Sequence, residues 1–388
     1  MTVTSPIGFR AAGVRAGIKA SGNPDLALVV NDGPLDVAAA VFTSNRFKAA
    51  PVVWTQQVVA DGAVRAVVLN SGGANACTGP DGFADTHATA EHVSLALAAV
   101  GVEAGAGDVA VCSTGLIGER LPMALLLAGV DAATSELSTD GGLDAAKAIM
   151  TTDSVAKTSA VTAAGFTVGG MAKGAGMLAP ALATMLVVLT TDAVVDAKVA
   201  DAALREACAL TFDRIDSDGC MSTNDTVLLL ASGASGVAPD SAVLAEAVTR
   251  VCADLARQLI GDAEGASKDI EIVVTGAAST DDAVDVARAV SRSNLLKCAI
   301  HGEDPNWGRV LSAIGTTSAA FEPGLVDVAI NGIWVCRGGC IGEDRDLVHM
   351  AGREVRIDVH LGAGHATATV WTNDLTADYV HENSAYAT

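Results

Sequence analysis

Runs of β-branched and aliphatic residues alternate along this chain with Ala-rich stretches of helical periodicity, and that alternation restricts it to a mixed α/β fold. Ala66–Leu69 and Val109–Cys112 read as buried strands, and Asp85–Val100 as a helix. A second helix is expected over Ser241–Ile260, where Val243, Leu244, Ala247, Val248, Val251, Leu255 and Leu259 recur at three- and four-residue steps and share one face. A strand at Ile270–Thr275 follows, then a helix at Asp281–Val290 with Thr280 and Asp281 supplying its cap. Strand-like runs return at Val326–Ile330, Val355–Leu361 and Ala366–Trp371. The change of character near Ala277 marks the expected start of a smaller C-terminal α/β domain, 278–388.

Half of the 388 residues are hydrophobic, but only four Trp, two Tyr and seven Phe are present beside 40 Gly. The core must therefore be built from Ala, Val, Leu and Ile around Gly-dependent turns. A net charge of −21, with no basic stretch interleaved with aromatics, argues against a nucleic-acid partner. Arg10, Arg15 and Lys19 interrupt the amino end where a signal peptide would need an unbroken apolar stretch. The longest apolar run, Ala175–Leu189, is broken by Pro180 and Thr184 and falls short of the roughly 20 residues of a membrane span. These features predict a soluble, cytoplasmic protein without a membrane partner. Its eight cysteines are scattered and read as reduced thiols.

The segment VGGMAKGAGMLAPALATMLVVLTTDA, 168–193, concentrates the chemistry. Lys173 follows Ala172 and precedes Gly174, so the Walker pattern fails. Gly174, Gly176 and Ala179 fit the loose dinucleotide pattern, but no strand is expected directly before them and Pro180 would break the required helix. The glycines can instead let backbone close around a reactive centre at Thr184. A threonine hydroxyl needs a base, and its own α-amine can serve once the bond after Ala183 is cut. The run VAVCSTGLIGER, 109–120, is a strand entering a Gly turn suited to oxyanion donors, and LNSGGANACTG, 69–79, offers Asn70 and Asn75 as further donors. The acidic run TFDRIDSDGCMSTND, 211–225, lacks the first and last ligands of an EF-hand and reads as a hydrogen-bonded structural loop. Cys298, His301, Cys336 and Cys340 have conceivable zinc spacing, but the first pair reads as lying at a strand end, and the expectation is no metal.

Taken together, GFRAAGVRAGIK (8–19), SGGANACTG (71–79), CSTGLIG (112–118), AIMTTD (148–153), GGMAKGAGMLAPALATML (169–186), STNDT (222–226), DAEGASK (262–268), DPNWGR (304–309) and ENSAYAT (382–388) resemble the ornithine acetyltransferases of the glutamate N-acetyltransferase family. The resemblance implies acetyl transfer from N2-acetylornithine to L-glutamate in arginine biosynthesis. It also implies an amino-terminal-nucleophile-like fold shared with β-aminopeptidases. Self-cleavage at Ala183–Thr184 would give an α chain, 1–183, and a β chain, 184–388, assembled as two of each. Thr184 would be the nucleophile in a ping-pong route, and Thr114 and Gly115 the oxyanion pair. Thr151, Lys173, Thr184, Glu264, Asn383 and Thr388 would contact substrate. No cofactor is implied, although some members also take acetyl-CoA as donor, a choice that no residue of this chain decides. The alternative is a self-processing amino-terminal-nucleophile aminopeptidase or amidohydrolase. A small-molecule-binding regulator on the same scaffold would remain uncut.

Overall fold

The structure, a computed structural model, describes residues 1–178 and 185–385. The first sheet has the order β1 (Phe9–Val14), β2 (Leu26–Asn31), β4 (Ala66–Ser71), β5 (Val109–Thr114), with only the β4–β5 pair parallel. The second has the order β3 (Val37–Phe42), β9 (Thr226–Ala231), β8 (Leu186–Thr191), β7 (Phe166–Lys173), β6 (Lys157–Ala163), with β8 and β9 parallel. Helices α1 (Ala50–Val58), α2 (Gly79–Ala99), α3 (Met123–Ser135) and α4 (Gly142–Ala148) belong to the first half, α5 (Ala197–Leu210) and α6 (Ser241–Gly261) to the second.

Alternation along the strands sorts these elements into layers. In β4, Ala66 and Val68 pack with α2 and α3, while Val67 and Leu69 face the second sheet. In β9, Leu228 and Leu230 face the first sheet, while Val227 and Leu229 pack with α5 and α6. Strands buried on both faces favour apolar residues at successive positions, which is why β4, β5, β8 and β9 each carry an apolar run of at least four residues. The result is helices, sheet, sheet, helices, a mixed α/β layering.

A third sheet has the order β13 (Cys340–Ile341), β12 (Ile333–Arg337), β11 (Asp327–Ile330), β14 (Glu354–His360), β10 (Asp269–Ala277), β15 (Ala366–Asn373). One face packs on α7 (Thr280–Ser291) and α9 (Trp307–Ile314), with α8 (Asn294–His301) between them in the chain and α10 (Ala377–Ala385) closing the described residues. Ala277, the expected boundary, is the last residue of β10, and both partners of that strand come from the C-terminal third. The third sheet thus begins at Asp269 rather than after 277. Two local expectations change. The cap of α7 is Ser279, whose side chain accepts from Asp282 N, one residue before the expected Thr280. Cys298 and His301 lie on α8 rather than at a strand end.

Candidate active site

β5 ends at Thr114, and the turn that follows is made backbone to backbone. The Thr114 carbonyl accepts from Gly72 N and Gly73 N at 2.9 and 3.0 Å. Gly115 has φ +130°, and a Cβ there would sit 2.5 Å from Gly73 N, so only glycine fits. The two asparagine amides expected as donors are already engaged. Asn70 Nδ2 donates to Gly73 O (3.0 Å), and Asn75 Nδ2 to Gly82 O (2.8 Å) and Thr86 Oγ1 (3.0 Å). They shape the turn.

The facing strand, β7, ends at Lys173, whose side chain is 1% exposed and whose Nζ donates to Thr114 Oγ1 at 3.4 Å. β7 runs directly into Gly174, so a strand does precede the glycine cluster, contrary to the sequence expectation. Gly169 and Gly170 disguised it. They are needed there because a Cβ at 170 would press on Leu189, 2.7 Å away, and one at 169 on Thr2 O at 2.4 Å.

Behind Lys173 lies a buried ionic knot. Asp153 accepts from Gly174 N (2.6 Å), Thr151 N (2.9 Å) and Lys157 Nζ (2.7 Å), and Lys157 Nζ also reaches Asp262 Oδ2 at 2.5 Å. Burial works against the charge on Asp153, but Lys173, Lys157 and these bonds overcome it and hold the carboxyl at about 2. Burial draws the Lys173 ammonium below its ordinary value, with Asp153 the chief opposing influence. Because the folded pKa of Asp153 is depressed, its contribution is complete above the unfolded value near 3.8 and is lost as pH falls toward 2. The difference corresponds to about 2 kcal/mol. The stabilities of wild type and Asp153→Asn in urea unfolding should therefore converge as pH falls from about 4 to 2 and keep a constant separation above about pH 4. A constant difference across that window would contradict the assignment.

The opposite wall comes from two later segments. Glu264 N donates to Ala175 O (3.0 Å), and a Cβ on Gly176 would lie 2.7 Å from the Glu264 carboxylate. Asn383 Nδ2 donates to Glu264 Oε2 at 2.9 Å. α10 is seated by Thr376 Oγ1 donating to Gly265 O at 2.7 Å. Asp218 accepts from Met177 N and Cys220 N, and burial together with Asp218 pushes the Tyr379 phenol up to about 12.

Thr114, Gly115, Thr151, Lys173, Glu264 and Asn383 all line one cavity of about 150 Å³. Ala183, Thr184 and Thr388 lie outside the described residues, and Met185, which follows Thr184 in the chain, leads into β8. Thr152, Met177, Asp218, Cys220 and Tyr379 share the lining and were not expected. Asp218 stood within the acidic run taken as structural, and the run is partly that, since Asp216 accepts from Gly219 N and Arg292 Nε. A larger depression of about 480 Å³, beside Trp371, Arg257 and Arg356, contains none of the expected residues. Among the described residues no three His, Cys, Asp or Glu are grouped to hold a metal ion, and no helix is long and apolar enough to cross a membrane.

A family model described as the ArgJ family matches residues 10–388. Two proteins named arginine biosynthesis bifunctional protein ArgJ are similar across the full length of both chains: that of Streptomyces coelicolor is 68% identical and that of Thermobifida fusca 65%. A crystal structure of ornithine acetyltransferase complexed with ornithine, from Mycobacterium tuberculosis, is 64% identical. It covers 48% of this chain and 96% of its own, with a TM-score of 0.46.

Proposed function

This chain belongs to the ArgJ family and is an acyltransferase, and from that premise we propose that it carries acetyl from N2-acetylornithine to L-glutamate in arginine biosynthesis. The supporting observation is convergence. Residues separated by up to 269 positions, from Thr114 to Asn383, meet around one small cavity beside the start of β8.

The proposed sequence begins with self-cleavage. Thr184 Oγ attacks the Ala183 carbonyl, the C–N bond breaks to leave an ester, and water hydrolyses it to an Ala183 carboxylate and a free Thr184 amine. That amine, with an ordinary pKa near ~8, takes the hydroxyl proton as Oγ attacks the acetyl carbonyl of acetylornithine. Donors at Thr114 and Gly115 hold the oxyanion. The C–N bond then breaks, the proton passes to the departing α-amine, and ornithine leaves acetyl-Thr184. The glutamate α-amine attacks the ester, giving N-acetylglutamate and returning the proton to Oγ. Thr151 and Asn383 orient the amino-acid head, Lys173 faces a carboxylate, and Glu264 an ammonium. Thr388 completes the set. Acetyl-CoA as a second donor, an assembly of two α and two β chains, and a cytoplasmic setting belong to the same reading.

The test is acetate release. Acetylornithine labelled in its acetyl group should yield labelled N-acetylglutamate when glutamate is present and little free acetate without it. Equal acetate release in both conditions would instead identify the amidohydrolase alternative. In the same assay, Glu264→Gln should raise KM for acetylornithine about 10-fold, the equivalent of one charged hydrogen bond. An unchanged KM would remove Glu264 from ammonium recognition.

A further inference from the structure

The described residues next to the two parts of the proposed machinery belong to different sheets. Thr114 ends β5 of the first and Gly115 follows it, whereas Met185, the residue after Thr184 in the chain, leads into β8 of the second. Strand pairing within either sheet leaves the separation of the two free, so something must bridge them. Two consecutive residues before β9 do this. Asn224 Nδ2 donates to Ser113 O at 2.8 Å and to Ala74 O at 2.6 Å, gripping the oxyanion strand and its facing loop together. Its other amide atom, Oδ1, accepts from Thr223 Oγ1 at 2.6 Å, which fixes the rotamer. Asp225 Oδ1 accepts from Met185 N at 3.1 Å, and Thr226 N donates to Met185 O at 3.2 Å. Met185, which follows Thr184 in the chain, is thus held through both its backbone N–H and its carbonyl.

Resting on the reading of Thr184 as nucleophile, we infer that Asn224 and Asp225 are positioning residues that set the distance between nucleophile and oxyanion donors, in self-cleavage and in acetyl transfer alike. Asp225 is fully buried, and its Oδ2 accepts no hydrogen bond among the described residues. Burial pushes its carboxyl well above the ordinary range, against the bond from Met185 and the neighbouring Thr43 hydroxyl. A neutral acid gripping an amide through its carbonyl oxygen is mimicked by an amide side chain. The bracket therefore separates geometry from charge.

Cleavage time courses by intact mass, together with steady-state kinetics, test this on the full chain. Asn224→Ala should slow cleavage and lower kcat by about 100-fold, as a displacement near 1 Å does, with KM changed less than about twofold. Asp225→Ala should remain uncut, whereas Asp225→Asn should cleave and keep the wild-type kcat and pH profile. Wild-type kcat in Asn224→Ala, or Asp225→Asn as inert as Asp225→Ala, overturns the inference. Should Asn224→Ala fail to fold, Asn224→Ser, which keeps a single donor, answers the same question by the same kcat criterion. Failure of the underlying reading shows separately, because wild type incubated with acetylornithine would then carry no acetyl group on the peptide beginning at Thr184.

Discussion

Replacing Thr184 by alanine is expected to leave one uncut chain of 388 residues, whereas the wild type is expected to separate into pieces of 183 and 205. Acetyl transfer should fall by about 10⁴-fold or more, because both the hydroxyl and the amine that activates it are lost in one change. The amine is lost even though the variant still has a nitrogen at 184, since that nitrogen stays in an amide. Thr184→Ser is the informative companion. It keeps an attacking hydroxyl, so it should cleave slowly and, once cut, transfer acetyl with a reduced kcat. Intact mass over hours after purification reads both variants. Full cleavage of Thr184→Ala, or a wild type that never divides, would remove the proposed mechanism. The contacts gathered around Met185 explain why so small a truncation should leave the fold standing. β8 is paired on both sides from Leu186 onward.

How much of this was legible beforehand differs by element. β4, β5 and α6 stood out because a doubly buried strand and a one-sided helix leave patterns that survive any tertiary context. β7 did not, since its two glycines answer to close packing by Thr2 and Leu189, partners distant in sequence. The cap of α7 slipped by one residue because Ser279, Thr280 and Asp281 are all competent caps, and geometry alone chooses. In the site, the glycine turn at Gly115 had a physical signature, whereas Thr151, Glu264 and Asn383 were named only through the resemblance to a family. Asp153 lay inside the motif AIMTTD and still went unassigned. A lysine as buried as Lys157 is rare, and nothing local in sequence announces that two lysines will turn inward to meet one carboxylate. Tyr379 could have been suspected only from scarcity, being one of two tyrosines in the chain.

The turn at Gly115 provides the other large effect. A Cβ there would meet Gly73 N at 2.5 Å, Gly72 C at 2.6 Å and Gly72 Cα at 3.0 Å, all backbone, so no side chain can rotate aside to admit it. The two segments must part, and the bonds from Gly72 N and Gly73 N to Thr114 O must lengthen or break. Those bonds hold the Thr114 carbonyl and thereby aim the N–H groups that follow it. Gly115→Ala should therefore lower kcat by about 10²–10³-fold, the range for losing an oxyanion donor, and slow the self-cleavage step in proportion. In the proposed mechanism both reactions pass through a tetrahedral oxyanion, so a common site predicts a common loss. Gly118 supplies the control. It also has a positive φ, +91°, but nothing lies within 4 Å of where its Cβ would be. Gly118→Ala should carry only the backbone penalty, about 1 kcal/mol of stability, with transfer little changed. If the two variants lose activity equally, strain in the loop rather than displacement of the oxyanion turn governs the effect. If Gly115→Ala slows transfer but not cleavage, the two reactions do not share one oxyanion site.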